Sequence, residues 1–137
     1  MMSTGVLFIC LGNSCRSIMA EALARHLYPG EVKAASAGIN PLGFVTEETF
    51  QVLAEMGIAT QGLWSKGFEE VNLSEFSLLI NLTSYPLDSH LPGDLPGRII
   101  SYPVTDPFGA SLAMYREARD SIRRFITEDL SMHLRNL

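Results

Sequence analysis

The sequence predicts an α/β fold, a parallel sheet flanked by helices. Three observations carry this. Short apolar runs alternate along the chain with longer stretches of helical periodicity. Gly5–Cys10 (GVLFIC) is apolar at every position after the glycine, as in a strand buried on both faces. The 137 residues, 47% hydrophobic and 18% charged, suffice for one packed core and exclude intrinsic disorder. They are too few for two ordinary domains, so residues 1–137 are expected to form a single domain.

Each element has its own signal. After the Gly5–Cys10 strand comes a small polar loop, Leu11–Arg16. Ser17–Tyr28 places Met19, Leu23 and Leu27 at helical spacing and stops at Pro29-Gly30. Val32–Ala37 reads as a second strand. Thr46–Met56 is a helix with Thr46 as N-cap, Glu47 and Glu48 in the first turn and Gly57 as its stop. Phe76–Thr83 and Arg98–Val104 read as the third and fourth strands. Ser111–Leu134 is a long amphipathic helix with Leu112, Tyr115, Ile122, Phe125 and Ile126 on its inner side. In such sheets ligands sit beyond the carboxyl ends of the strands.

Composition narrows the function. Ten Lys plus Arg against fifteen Asp plus Glu give a net charge of −5, which disfavours a nucleic-acid partner. No apolar run approaches the roughly 20 residues of a membrane span, and Met1–Gly5 lacks a basic signal-peptide start. Two cysteines cannot staple a secreted scaffold or build a four-cysteine zinc site. A reducing, cytoplasmic setting is expected. His26, His90 and His133 have no partner at metal-ligand spacing and read as solvated or capping residues. No metal and no cofactor are expected.

The unusual residues lie in the loop Cys10-Leu11-Gly12-Asn13-Ser14-Cys15-Arg16-Ser17, between strand end and helix start. Consecutive N–H groups of Leu11–Arg16 can curl inward as an anion-binding nest, and the helix adds its positive end. Gly12 and Asn13 tolerate the positive φ such a curl needs. The planar guanidinium of Arg16 can grip two oxygens of a tetrahedral anion. The same field favours Cys10 as thiolate, an in-line nucleophile for phosphoryl transfer. Alone, Cys10 reads equally as a small buried hydrophobe; the combination Cys-x5-Arg-Ser at a strand-to-helix turn is far more specific. No G-x-x-x-x-G-K-[ST] or G-x-G-x-x-G follows a strand.

Displacing an alkoxide or phenolate also needs a proton donor. Asp106-Pro107 follows the fourth strand on the same sheet edge as Cys10, and Pro107 restricts Asp106. An ordinary Asp-Pro turn is the competing reading.

With both segments in view, the chain resembles the low-molecular-weight protein tyrosine phosphatases, which share fold and signature with thioredoxin-coupled arsenate reductases. The likeness is carried by VLFICLGNSCRSIMAEAL (Val6–Leu23), Ser36-Ala37-Gly38-Ile39, VLAEMGI (Val52–Ile58) and DPFGASLAMYREARDSI (Asp106–Ile122). It implies a four-stranded parallel sheet of order 2-1-3-4 with helices on both faces, a three-layer sandwich. It implies that Cys10 forms a phosphocysteine and that Arg16 and the amides of Leu11, Gly12, Asn13, Ser14 and Cys15 bind oxyanions such as phosphate, sulfate or arsenate. It further implies that Asn13 shapes the loop, Ser17 donates to the sulfur, and Asp106 protonates the leaving oxygen and then activates water. Cys15 matches a second loop cysteine able to form a reversible disulfide with the nucleophile; a packed small residue is the competing reading.

The reductases of this fold also need thiols after the third strand to complete a disulfide relay. Asn81–Pro96 contains none. The expected activity is therefore hydrolysis of phosphotyrosine-like aryl phosphates, on protein or small molecule. Leu63–Val71 (LWSKGFEEV) and the chain length look more like the reductase branch, so arsenate reduction with an external thiol is the alternative. A non-catalytic phosphate-binding module is a third. Ser14 stands where many of these phosphatases carry a larger apolar residue. Phe108-Gly109 replaces a pair of tyrosines, leaving Phe108 as one aromatic wall for a phenyl ring. Phe44 is expected to make a core contact, with a second aromatic wall for the substrate as the competing reading, and Trp64 is expected to pack. Arg116, Arg119, Arg123 and Arg124, with Glu117 and Asp120, read as a charged outer helix face.

Overall fold

The computed structural model describes residues 3–137. Four strands, β1 (Thr4–Cys10), β2 (Val32–Gly38), β3 (Leu78–Asn81) and β4 (Arg98–Ser101), form one sheet of order β2-β1-β3-β4. Every pairing is parallel. The connection reverses direction at β1, which lies between β2 and β3. Cys10, its last residue, therefore stands at the topological switch point, where open α/β sheets bind ligands.

The two faces of β1 explain its unbroken apolar run. Val6 and Phe8, with Leu78 and Ile80 of β3, pack beneath α1 (Arg16–Leu27), α2 (Glu47–Ala54), α3 (Leu112–Arg124) and α4 (Leu130–Arg135). Leu7, Ile9 and Leu79 face the other way. They are covered by two single-turn 3-10 helices, Phe68–Glu70 and Leu73–Glu75, and by Leu87, Leu91 and Leu95. Helical cover is thus present on both sides, with all the longer helices on one.

Several boundaries differ from the sequence expectation. The third and fourth strands are shorter than Phe76–Thr83 and Arg98–Val104. At β4 the run meets Pro103, which has no N–H for a ladder. The long C-terminal helix is interrupted by a π turn at Phe125–Asp129, and the Tyr28 hydroxyl donates to Ile126 O within it (3.1 Å). Its inner side is otherwise as expected: Tyr115, Ile122, Phe125 and Ile126 are buried and Leu112 is partly so. Leu27, expected on the inner face of α1, is partly exposed because the last turn of that helix clears the core. Thr46 caps α2 through its side chain, which accepts from Thr49 N. No helix among the described residues is long and apolar enough to cross a membrane.

Candidate active site

The loop between β1 and α1 is turned inside out by its neighbours. Its carbonyls point outward and are held there. Cys10 O accepts from Ile39 N (3.0 Å), Leu11 O from Asn40 N (2.8 Å), Gly12 O from Leu42 N (3.0 Å) and Ser14 O from Thr46 N (3.3 Å). Thr49 Oγ1 also donates to Ser14 O (3.0 Å), and Ser65 Oγ to Gly12 O (3.1 Å). The N–H groups of residues 11–16 donate to no protein group among the described residues, which leaves six amide donors for an anion. Asn13 takes φ +47° to make the curl. The approach is close: a Cβ on Gly38 would lie 2.9 Å from both Asn13 N and Leu11 O, so only glycine fits at the end of β2.

Cys10 sits at the floor of this curl, within reach of a chain of hydrogen bonds that runs through Asn13 and Ser17. Lys66 N–H donates to Asn13 Oδ1 (2.8 Å), which turns Asn13 Nδ2 toward Ser17 Oγ (2.6 Å). An amide nitrogen can only donate, so Ser17 Oγ accepts there. Ser17 keeps its own proton, which it can donate to Cys10 Sγ, 2.9 Å away.

Arg16 is buried at the start of α1. Its Nη1 donates to Leu82 O (3.2 Å) and Val104 O (3.0 Å), at the exits of β3 and β4. Nη2 lies 3.5 Å from Asp106 Oδ2. Nε is buried and has no hydrogen-bond partner among the described residues, a condition that costs about 1–3 kcal/mol unless a ligand meets it. Asp106 is half-exposed, and its Oδ1 accepts from Phe108 N (3.1 Å).

The cleft above the loop is lined by Cys10, Leu11, Gly12, Ser14, Cys15, Arg16, Asp106 and Phe108. Asn13 and Ser17 lie behind it. Every site residue expected from the sequence thus converges on this cleft or its wall. Asn40 and Leu42, which also line it, carry no sequence signal of their own. Cys15 Sγ is 3.5 Å from both Thr46 Oγ1 and Tyr115 Oη, and burial pushes its thiol above the ordinary range. Both cysteines are free thiols.

Two aromatic expectations fail. Phe44 and Trp64 are each 51% exposed. Ser14 Oγ donates to Phe44 O, which turns that ring outward, and Trp64 lies 5.1 Å from the Lys66 ammonium. Behind the loop is a polar cluster the sequence reading missed. Lys66 is buried, with Nζ 3.0 Å from Trp64 O, 3.4 Å from Ser36 Oγ and 3.6 Å from Glu21 Oε1. Burial lowers its ammonium from the usual lysine range, and the Glu21 carboxylate opposes that.

A sequence model of the family described as low molecular weight phosphotyrosine protein phosphatase matches residues 5–92. The glutaredoxin arsenate reductase of Synechocystis is 30% identical, over 86% of this chain and 89% of that protein. The low molecular weight protein-tyrosine-phosphatase YfkJ of Bacillus subtilis is 38% identical over 61% of this chain and 59% of its own. The protein-arginine-phosphatase of Bacillus subtilis is 30% identical over 90% and 92%. A solved arsenate reductase in the phosphate binding state superposes with a TM-score of 0.83 at 26% identity, covering 94% of this chain and 98% of that one.

Proposed function

The chain belongs to the low molecular weight phosphotyrosine protein phosphatase family, and from that premise we propose that it is a Cys10-dependent phosphatase of aryl phosphates such as phosphotyrosine. The observation that supports this most is the Ser17 hydroxyl aimed at Cys10 Sγ beneath six unpartnered amides.

The reaction runs in two displacements. The Cys10 sulfur attacks phosphorus in line as the bond to the leaving oxygen breaks, and Asp106 gives that oxygen its proton. The amides of residues 11–16, with Nε and Nη2 of Arg16, carry the charge on the equatorial oxygens. Asp106 then takes a proton from water, which attacks phosphorus and expels the sulfur. Ser17 donates to that sulfur as it leaves with its negative charge. Phe108, 50% exposed at the rim, is the wall against which a phenyl ring stacks.

The test is turnover of p-nitrophenyl phosphate, in the presence of a chelator, by the wild type and by Cys10→Ser. The expected result is turnover by the wild type alone. Equal rates reject the reading, and tight phosphate binding without turnover would instead fit a binding module.

Arsenate reduction is the second reading, favoured by the Synechocystis relative. With only two cysteines, it requires external thiols. Cys10 displaces hydroxide from arsenate, one thiol attacks the sulfur and releases arsenite, and a second thiol reduces the mixed disulfide. Arsenite release with glutathione, or with thioredoxin and its reductase, is the measurement. A parallel assay on phosphotyrosine and phosphoarginine peptides separates the phosphatase substrates.

A further inference from the structure

We propose that the buried Glu21–Ser36–Lys66 cluster is a positioning device that aims the Asn13 amide, and through it the Ser17 proton, at the Cys10 sulfur. This rests on the Cys10 phosphatase reading and adds Lys66 and Glu21 to it as positioning residues.

The cluster is deep: Glu21, Ser36 and Lys66 are 4%, 0% and 7% exposed. It is also fully connected. Ser36 Oγ donates to Glu21 Oε1 (2.5 Å), Arg25 Nη2 donates to Glu21 Oε2 (2.5 Å), and the three Lys66 protons face Trp64 O, Ser36 Oγ and Glu21 Oε1. An ion pair in such a place stabilises a fold little better than apolar residues of the same volume, and its better-attested use is to specify an arrangement.

The arrangement specified here is the backbone of Lys66. Its N–H holds Asn13 Oδ1 at 2.8 Å and its carbonyl accepts from Gly38 N at 2.9 Å. The side chain anchors the residue from within while the main chain sets the Asn13 amide. That amide donates to Ser17 Oγ and so leaves the Ser17 proton available to the Cys10 sulfur. The anion cradle is held differently. The carbonyls of Cys10, Leu11, Gly12 and Ser14 are tied to the main chain of Ile39, Asn40, Leu42 and Thr46, none of them in the cluster, and only Gly12 O takes a further bond from a neighbour of Lys66, Ser65 Oγ. Disturbing the cluster therefore touches the chemistry at sulfur and leaves anion binding in place.

The experiment compares wild type with the Glu21→Gln, Lys66→Met double variant, which removes both charges together. Two readouts are taken: kcat on p-nitrophenyl phosphate and the inhibition constant of inorganic phosphate. The expected result is a kcat lower by about 10- to 100-fold, the range of groups that orient a reacting side chain, with phosphate inhibition within about 3-fold. In an Asn13→Ala background the same exchange should change kcat by less than about 2-fold, since both act through one amide. An unchanged kcat, an equal loss in phosphate binding, or full additivity with Asn13→Ala overturns the proposal. Should the double variant fail to fold by circular dichroism, Lys66→Gln is judged by the same readouts and limits. Cys10→Ser, run alongside, tests the underlying reading separately: turnover retained there removes the reading and the proposal together.

Discussion

Arg16 and Asp106 meet across the mouth of the cleft, with Nη2 of one 3.5 Å from Oδ2 of the other. Arg16 is itself fixed by the carbonyls of Leu82 and Val104, so the exits of β3 and β4 set where its guanidinium stands. Asp106 Oδ1 is occupied by the Phe108 N–H. Oδ2 is left facing the arginine and the cleft.

Proton delivery by Asp106 has a leaving-group signature. Asp106→Asn should lower kcat on phenyl phosphate by about 10²- to 10³-fold and do much less on p-nitrophenyl phosphate, whose phenolate leaves without help. Similar losses on the two substrates would remove Asp106 from that role.

Ser17→Ala deletes the donor to Cys10 Sγ. The expected cost is about 10- to 100-fold in kcat, with little change in KM, because the bond matters most when the sulfur bears full charge. A change confined to KM would contradict the direction assigned to that hydrogen bond.

Arg16→Lys keeps the charge but loses both the planar grip and the carbonyl anchors. Phosphate inhibition should weaken by more than about tenfold. Titration of the variant with inorganic phosphate checks this, and unchanged affinity counts against Arg16 as the anion's side-chain ligand.

Cys15 and Cys10 should differ in reactivity. Burial raises the Cys15 thiol, so little of it is thiolate near neutrality, and iodoacetamide should label Cys10 first. Mass spectrometry of Cys10→Ser is expected to show almost no label at pH 7. Labelling as fast as in the wild type refutes the distinction.

An acid-side stability effect is expected on the far side of the molecule. Arg116 and Arg119 hold the Glu55 carboxylate at about 2, below its ordinary value of 4.5, through hydrogen bonds that join α3 to the end of α2. A carboxylate held low in the folded state stabilises it above the ordinary value and loses that effect as pH falls toward 2. The melting temperature of Glu55→Gln should lie below wild type, by a few degrees at most, at pH 6. The gap should close between pH 4.5 and 2; a constant gap over that range rejects the pairing as its source.

What the sequence revealed depended on how local each signal was. Gly5–Cys10 declared itself by an unbroken apolar run, Thr46 by its place before two acids, and the anion loop by eight adjacent positions. The segment covering the second sheet face has no such period: its two 3-10 turns bury Phe68, Val71 and Leu73 only in part, so neither helix nor strand spacing develops. Lys66, Glu21 and Ser36 were invisible for a different reason. Their pairs are 15, 30 and 45 residues apart and close only in the fold, and each alone is the kind of residue found on a surface. Phe44 and Trp64 misled because aromatic rings are buried more often than not. Of the arginines read as an outer face, Arg116 does sit outside while Arg119 is largely buried and donates to Val52 O, and both take Glu55 as a cross-helix partner.

The loop's outward carbonyls are secured by the main chain of the segment that follows β2. The receptor is therefore finished during folding, before any anion arrives, and little ordering is left to oppose capture. Main-chain groups of that segment then govern how rigidly a substrate is received. Lengthening the 39–46 stretch by one residue should read in calorimetry as a larger entropic penalty for phosphate, as though a contact residue had been altered.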